Sequence, residues 1–243
     1  MLSEESLELI VQDHLAELEW QAGHGPDFAP GSGERDTWND IVLRGRLRNA
    51  VRNLNPGVPE EYLDQAIGEV ITPKSQSVIA ENRRIHQILV EGYRGIEYID
   101  HEGNVQNPTI YFLSSQPHKN DYLSLNQVTI TNLDGERRFD VVCYVNGMPL
   151  AFIELKKTGA NTSVEGAYNQ LQTYVKEFGM AFRFANIVIP SDDLSAKYGT
   201  PFTPWNHFAP WNVDEDGSPV DPNNMVVALS LIHISEPTRL GMI

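Results

Sequence analysis

The stretch from Arg137 to Lys157, RRFDVVCYVNGMPLAFIELKK, constrains the fold more than any other part of this chain. Two runs rich in β-branched and aromatic residues, Phe139 to Val145 and Pro149 to Leu155, flank Asn146-Gly147, the strongest short-range signal for a β-hairpin. Both runs are apolar at consecutive rather than alternate positions. That pattern fits central strands covered by helices on both faces. An Asp, a Glu and a Lys nevertheless sit in this segment, at 140, 154 and 156, where burying a charge is costly unless something compensates it.

Strand geometry relates these three residues. Side chains alternate with period two, so Glu154 and Lys156 project from one face while Leu155 points away into packing. A strict two-residue turn at Asn146-Gly147 sets Asp140 opposite Ile153, on the wrong face from Glu154. One bulge restores the match, and the reading expects it at the turn, with Gly147 left-handed or Met148 drawn into the loop. Asp140, Glu154 and Lys156 then share a face. Two carboxylates within reach of one hard cation, with an ammonium beside them, are what metal-assisted phosphodiester hydrolysis requires.

The plainer alternative is a solvated charge pair on an edge strand, since an E-x-K arises about once by chance in a chain of this length. Glu154-Leu155-Lys156 is the only E-x-K present, and it lies inside the most apolar strand. The pattern D-x13-E-L-K on a hairpin resembles the PD-(D/E)xK nuclease superfamily. The wider wording, NRRIHQILVEG, RRFDVVCYVNGMPLAFIELKK and AYNQLQTY, resembles the N-terminal nuclease domain of the restriction subunit of type I restriction-modification enzymes. Phe139 stands where the motif's name has proline.

That resemblance implies a three-layer α/β/α restriction-endonuclease-like fold with a central mixed sheet. It implies DNA hydrolysis with Mg²⁺ held by Asp140 and Glu154, assisted by Lys156, with Glu8 at the position of an acidic residue facing the metal. It also implies double-stranded DNA as substrate and methyltransferase and specificity subunits as partners; with no apolar run of membrane length and no basic-then-apolar start, a cytoplasmic location and no membrane are expected. An inactive nuclease fold used for docking, or a repair or phage-defence nuclease of the same superfamily, is the alternative.

Composition bounds these readings. The chain has 243 residues, 41% hydrophobic, enough for one domain or two with a real core. The acidic, amphipathic start MLSEESLELI is unlike a signal peptide. A single Cys143 excludes an internal disulfide and a multi-cysteine iron-sulfur cluster. A net charge of −15 argues against a simple nucleic-acid binder. Clusters at Arg44, Arg46, Arg48 and Arg52, at Arg83-Arg84 and at Arg137-Arg138 offset this, as phosphate contacts or as solvated helix faces.

In chain order, residues 6 to 19 read as an amphipathic helix, Gly23 to Gly33 as a loop, and Trp38 to Leu54, Pro59 to Ile71 and Val78 to Glu91 as helices, the last ended by Gly92. Strands at Ile96 to Ile99, Ile110 to Leu113 and Leu123 to Leu133 lead through Asp134-Gly135 into the hairpin as an antiparallel meander. A capping box, Thr162 to Glu165, opens a helix to Phe178, and Asn186 to Ile189 is a returning strand. On that helix Gln170 and Tyr174 are one turn apart and share a face; they resemble the Q-x-x-x-Y motif of the RecB-like branch, which implies DNA contact and positioning of the active site. His86 and His118 lack ligand spacing and read as structural.

No G-x-x-x-x-G-K-[ST] is present; the resemblance implies that ATP is used only by motor domains that follow the nuclease domain in the longer subunit. LSLIHISEPTR, Leu229 to Arg239, resembles the conceptual translation of a sequencing adapter. The nuclease domain is therefore expected to cover residues 1–228, as the N-terminal fragment of a longer subunit, with 229–243 non-native.

Overall fold

A computed structural model describes residues 3–133, 135–157, 163–192 and 195–211. Helix α1 (Glu4–Glu17) is capped by Ser3, whose side chain accepts from the Ser6 backbone N–H, and it buries Leu7, Val11 and Leu15. Strand β1 (Gln21–His24) follows. Helices α2 (Arg44–Leu54), α3 (Glu60–Ile71) and α4 (Val78–Glu91) come next. The short strands β2 (Tyr98–Ile99) and β3 (Val105–Gln106) pair only with each other.

The central meander is β4 (Tyr122–Asn132), β5 (Gly135–Val145) and β6 (Met148–Lys156). Helix α5 (Val164–Glu177) then carries the chain to β7 (Ile187–Asp192), with a small ribbon of β8 (Lys197–Tyr198) and β9 (Ala209–Pro210) after it. The main sheet has the order β1-β4-β5-β6-β7; β4, β5 and β6 are antiparallel, and each outer strand joins in parallel. A mixed sheet is thereby formed. Val141 to Val145 and Met148 to Leu155 are buried without a break, so both sheet faces are covered. Helix α1 packs on β1, β4 and β6, while α5 and the 3-10 segment Gly179–Phe184 pack on β6 and its neighbours. This is the expected α/β fold.

Several expected elements differ. The presumed loop at Gly23 contains part of β1, an edge strand too short and polar to show a pattern; it pairs along β4 from Gln21↔Leu123 to His24↔Asn126. The helix expected from Trp38 begins only at Arg44, because Ile41, Val42 and Leu43 are buried in succession, which an amphipathic helix does not allow. Around Ile110 there is one bridge, to Tyr93, rather than a strand. The α5 cap is Ser163, accepting from the Gly166 N–H; Thr162 and Asp134 lie outside the described residues, as does 229–243.

The hairpin turn is regular, contrary to expectation. Asn146 (φ 53°) and Gly147 (φ 76°) are both left-handed, the geometry of a two-residue turn whose twist matches the strands. The bulge sits two residues further on. Tyr144 pairs with Pro149 but Cys143 pairs with Ala151, which leaves Leu150 as the extra residue. Proline explains the location: it cannot donate to a ladder and is tolerated in sheets at bulges and edges.

Candidate active site

Beyond the bulge the register runs Cys143↔Ala151, Val142↔Phe152 and Val141↔Ile153, so the next step sets Asp140 opposite Glu154. One Asp140 carboxylate oxygen accepts the Leu155 backbone N–H at 2.8 Å. Glu154 is 1% exposed; its Oε1 lies 3.3 Å from Lys156 Nζ, and its Oε2 is buried with no hydrogen-bond partner. Burial first, and then the negative charge of Asp140, push the Glu154 carboxyl up to about 9. Burial also raises Asp140, against the Leu155 N–H and the Lys156 charge.

Helix α1 supplies the floor. Glu8 is 2% exposed and accepts from the side-chain amides of Gln127 and, at 3.3 Å, Asn126. Burial raises its pKa, the Gln127 amide opposes this, and the charge of Asp140 adds to it. One turn earlier, Glu4 comes within 3.9 Å of Lys156 Nζ. Among these residues carboxylates outnumber cations, the arrangement that a divalent cation stabilises.

Helix α5 supplies the remaining predicted pair. Gln170 Nε2 donates to the Tyr174 hydroxyl at 2.5 Å. Burial, followed by the charge of Glu154, pushes that hydroxyl up to about 12, so Tyr174 keeps its proton for donation. The ring is fixed edge-on against Phe139, with centroids 5.4 Å apart, and Phe139 also packs edge-on against Phe152 and Phe182. The residue replacing the motif's proline thus anchors an aromatic cluster beside Asp140.

Asp140 and Glu154 thus stand opposite each other with Lys156 on Glu154, while Glu8 and Tyr174 lie within electrostatic reach of them and Gln170 is bonded to Tyr174. Sequence reasoning missed Gln127 and Asn126, although a polar Asn-Gln pair amid the apolar run of β4 was a signal. It also missed Glu4. Most of the arginine clusters are engaged within the protein: Arg44 with Asp40, Arg46 with Asp121, Arg48 with Asp64, Arg52 with Glu60, Arg84 with Glu81 and Arg137 with Glu177. Arg138 is exposed and carries no ion pair among the described residues, and its charge weakly opposes the upward shifts that burial imposes on Asp140 and Glu8. His86 and His118 line a groove of about 1000 Å³ together with Val145 and Leu150, near the turn end of the hairpin.

Two adjacent carboxylates, one with a buried oxygen lacking any partner, fit a hard cation of the Mg²⁺ type, which needs only one or two protein carboxylates besides water and phosphate. Among the described residues no three His, Cys, Asp or Glu side chains gather about one point. The oxygens of Glu8 are already occupied by amides.

A sequence model of the type I restriction enzyme R protein N terminus matches residues 1–207. The chain belongs to that family. Among its relatives, the type I restriction enzyme HindI endonuclease subunit of Haemophilus influenzae is 28% identical over 222 residues, covering 89% of this chain and 21% of the relative. A Methanocaldococcus jannaschii chain, provisionally named as the MjaIXP endonuclease subunit, is 26% identical over 211 residues, covering 85% and 20%. This R-protein N terminus therefore spans about a fifth of the length of these relatives. No helix among its described residues is long and apolar enough to cross a membrane.

Proposed function

We propose that this R-protein N terminus is the DNA-cleaving module of a type I restriction enzyme, hydrolysing phosphodiester bonds of double-stranded DNA with Mg²⁺. The observation that carries the proposal is the buried Glu154, with one oxygen on Lys156, the other unpartnered, and Asp140 opposite. Asp140 and Glu154 would hold the cation. When bound, Mg²⁺ neutralises phosphate charge and lowers the pKa of water. Lys156, tethered between Glu154 and Glu4, is placed to orient the attacking water or to balance charge that develops on the phosphate. Tyr174 and Gln170 position the DNA backbone against these groups, and exposed Arg138 offers a cation to a neighbouring phosphate. ATP hydrolysis and translocation belong to motor domains elsewhere in the longer subunit; a separate specificity subunit chooses the DNA, with a methyltransferase subunit as the further partner, in the cytoplasm.

The test uses a full-length subunit assembled with those partners. Lys156→Ala should abolish cutting, keep Mg²⁺ binding nearly intact and keep DNA-stimulated ATP hydrolysis, whereas Glu154→Gln should weaken both metal binding and cutting. Near-normal cutting by Lys156→Ala would make Lys156 a mere surface charge and defeat the assignment.

A further inference from the structure

Gln127 lies inside β4, yet its φ is +56°, in the left-handed region that a non-glycine residue in a strand rarely occupies. The β4–β5 ladder pairs Asn126 with Val141 and Val128 with Phe139, but it skips the step between them, where Gln127 stands opposite Asp140. The distortion costs a strand hydrogen-bonding step as well as backbone strain. In exchange, the Gln127 amide reaches the buried carboxylate of Glu8. Its neighbour Asn126, 6% exposed, donates to the other Glu8 oxygen at 3.3 Å, and its own Oδ1 is held by His24 Nδ1 at 2.9 Å. Backbone crowding fixes the same segment from the other side, since a Cβ on Gly25 would come within 2.5 Å of the Gln127 carbonyl oxygen.

Resting on the nuclease reading above, we infer that Gln127 and Asn126 are positioning residues of the active site: they grip both oxygens of Glu8 and so hold its carboxylate toward Asp140, where it adds negative charge to the cation seat and can accept from metal-bound water. A packing role alone would not need a left-handed residue beside the one skipped pair at Asp140. Groups that act on a metal through a ligand's surroundings commonly change its affinity by about 10- to 100-fold when removed.

The experiment measures Mn²⁺ affinity by counting free ion in electron paramagnetic resonance, on this chain and on a double-mutant cycle of Gln127→Gly and Glu8→Ala. Glycine keeps the left-handed backbone and removes only the amide. Gln127→Gly should weaken Mn²⁺ binding about tenfold, and in the Glu8→Ala background the same change should have little further effect, because Gln127 acts through Glu8. Gln127→Asn, which also tolerates a positive φ and keeps an amide, should recover part of the loss. Equal affinity in Gln127→Gly and the parent, or an equal loss with and without Glu8, overturns the inference. Failure of the parent chain to bind Mn²⁺ overturns the nuclease reading instead.

Discussion

Asp140 is bonded not to its partner Glu154 but to the peptide N–H of Leu155, the residue between Glu154 and Lys156. This one contact ties the carboxylate of β5 to the backbone that carries both other candidate side chains of β6. It also satisfies a strand-end donor that the ladder leaves free.

Glu154 has a pKa raised from 4.5 to about 9, and burial raises Asp140 and Glu8 as well. A carboxyl whose folded pKa lies above its unfolded value contributes stability that is complete below the unfolded value and is lost as pH rises through the folded one. Without divalent cations the chain should therefore melt at progressively lower temperature between about pH 5 and pH 9. Glu154→Gln should flatten this slope and be more stable than the parent at the alkaline end. Added Mg²⁺ should stabilise the parent most at high pH, where it no longer competes with a proton. Calorimetric scans across this range check the sign; stability rising with pH in the cation-free parent would contradict it.

Leu150 is the bulge residue that sets the parity of the site. Inserting one alanine between it and Ala151 should force β6 either to present Glu154 and Lys156 on the face opposite Asp140 or to shift Phe152 and Ile153 out of their packing. Divalent-cation binding should disappear, and stability should fall by about 3 kcal/mol or more in urea denaturation. Retained binding with an unchanged denaturation midpoint would mean that the bulge is incidental.

Gly147 holds the hairpin turn under α2. Its carbonyl accepts the Leu43 N–H at 2.9 Å, and a Cβ there would lie 2.4 Å from the Leu43 carbonyl oxygen and 2.7 Å from the Leu47 nitrogen, at a φ of +76°. Gly147→Ala should cost about 2–4 kcal/mol from backbone clash and strain together. Gly57→Ala, also at positive φ (+90°) but with open space around it, should cost less. Equal losses in the two variants would show that crowding under α2 does not matter.

Residues 229–243 read as a non-native extension. Their deletion should leave thermal stability within about 1 kcal/mol of the parent. A cooperative loss of folding on truncation would show that they are part of the domain.

The sequence by itself determined the part of the meander from Leu123 to Lys156 and the helices flanking it, and it singled out Asp140, Glu154 and Lys156 as candidates, because apolar continuity, the Asn-Gly turn and helical periodicity are local signals; Ile96 to Ile99 and Ile110 to Leu113, expected in the same meander, are not part of it. It also required one residue more on the β6 side than on the β5 side, as a bulge or a three-residue connection, for strand parity to join Asp140 with Glu154. Only the tertiary structure decided where that bulge lies: Pro149 removes a ladder donor one residue away from it, while the turn stays regular because Asn146 and Gly147 accept left-handed geometry. The same holds for the polar floor of the site. Glu8 is separated from Asn126 and Gln127 by more than a hundred residues, and on a helix read alone it is an ordinary acidic residue. Burial between α1 and β4 is what turns it into a charge that must be held by neighbouring amides. The arginines illustrate the converse, because their spacing suggested a phosphate-binding stripe and their partners, Asp64 and Asp121 among them, became neighbours only on folding.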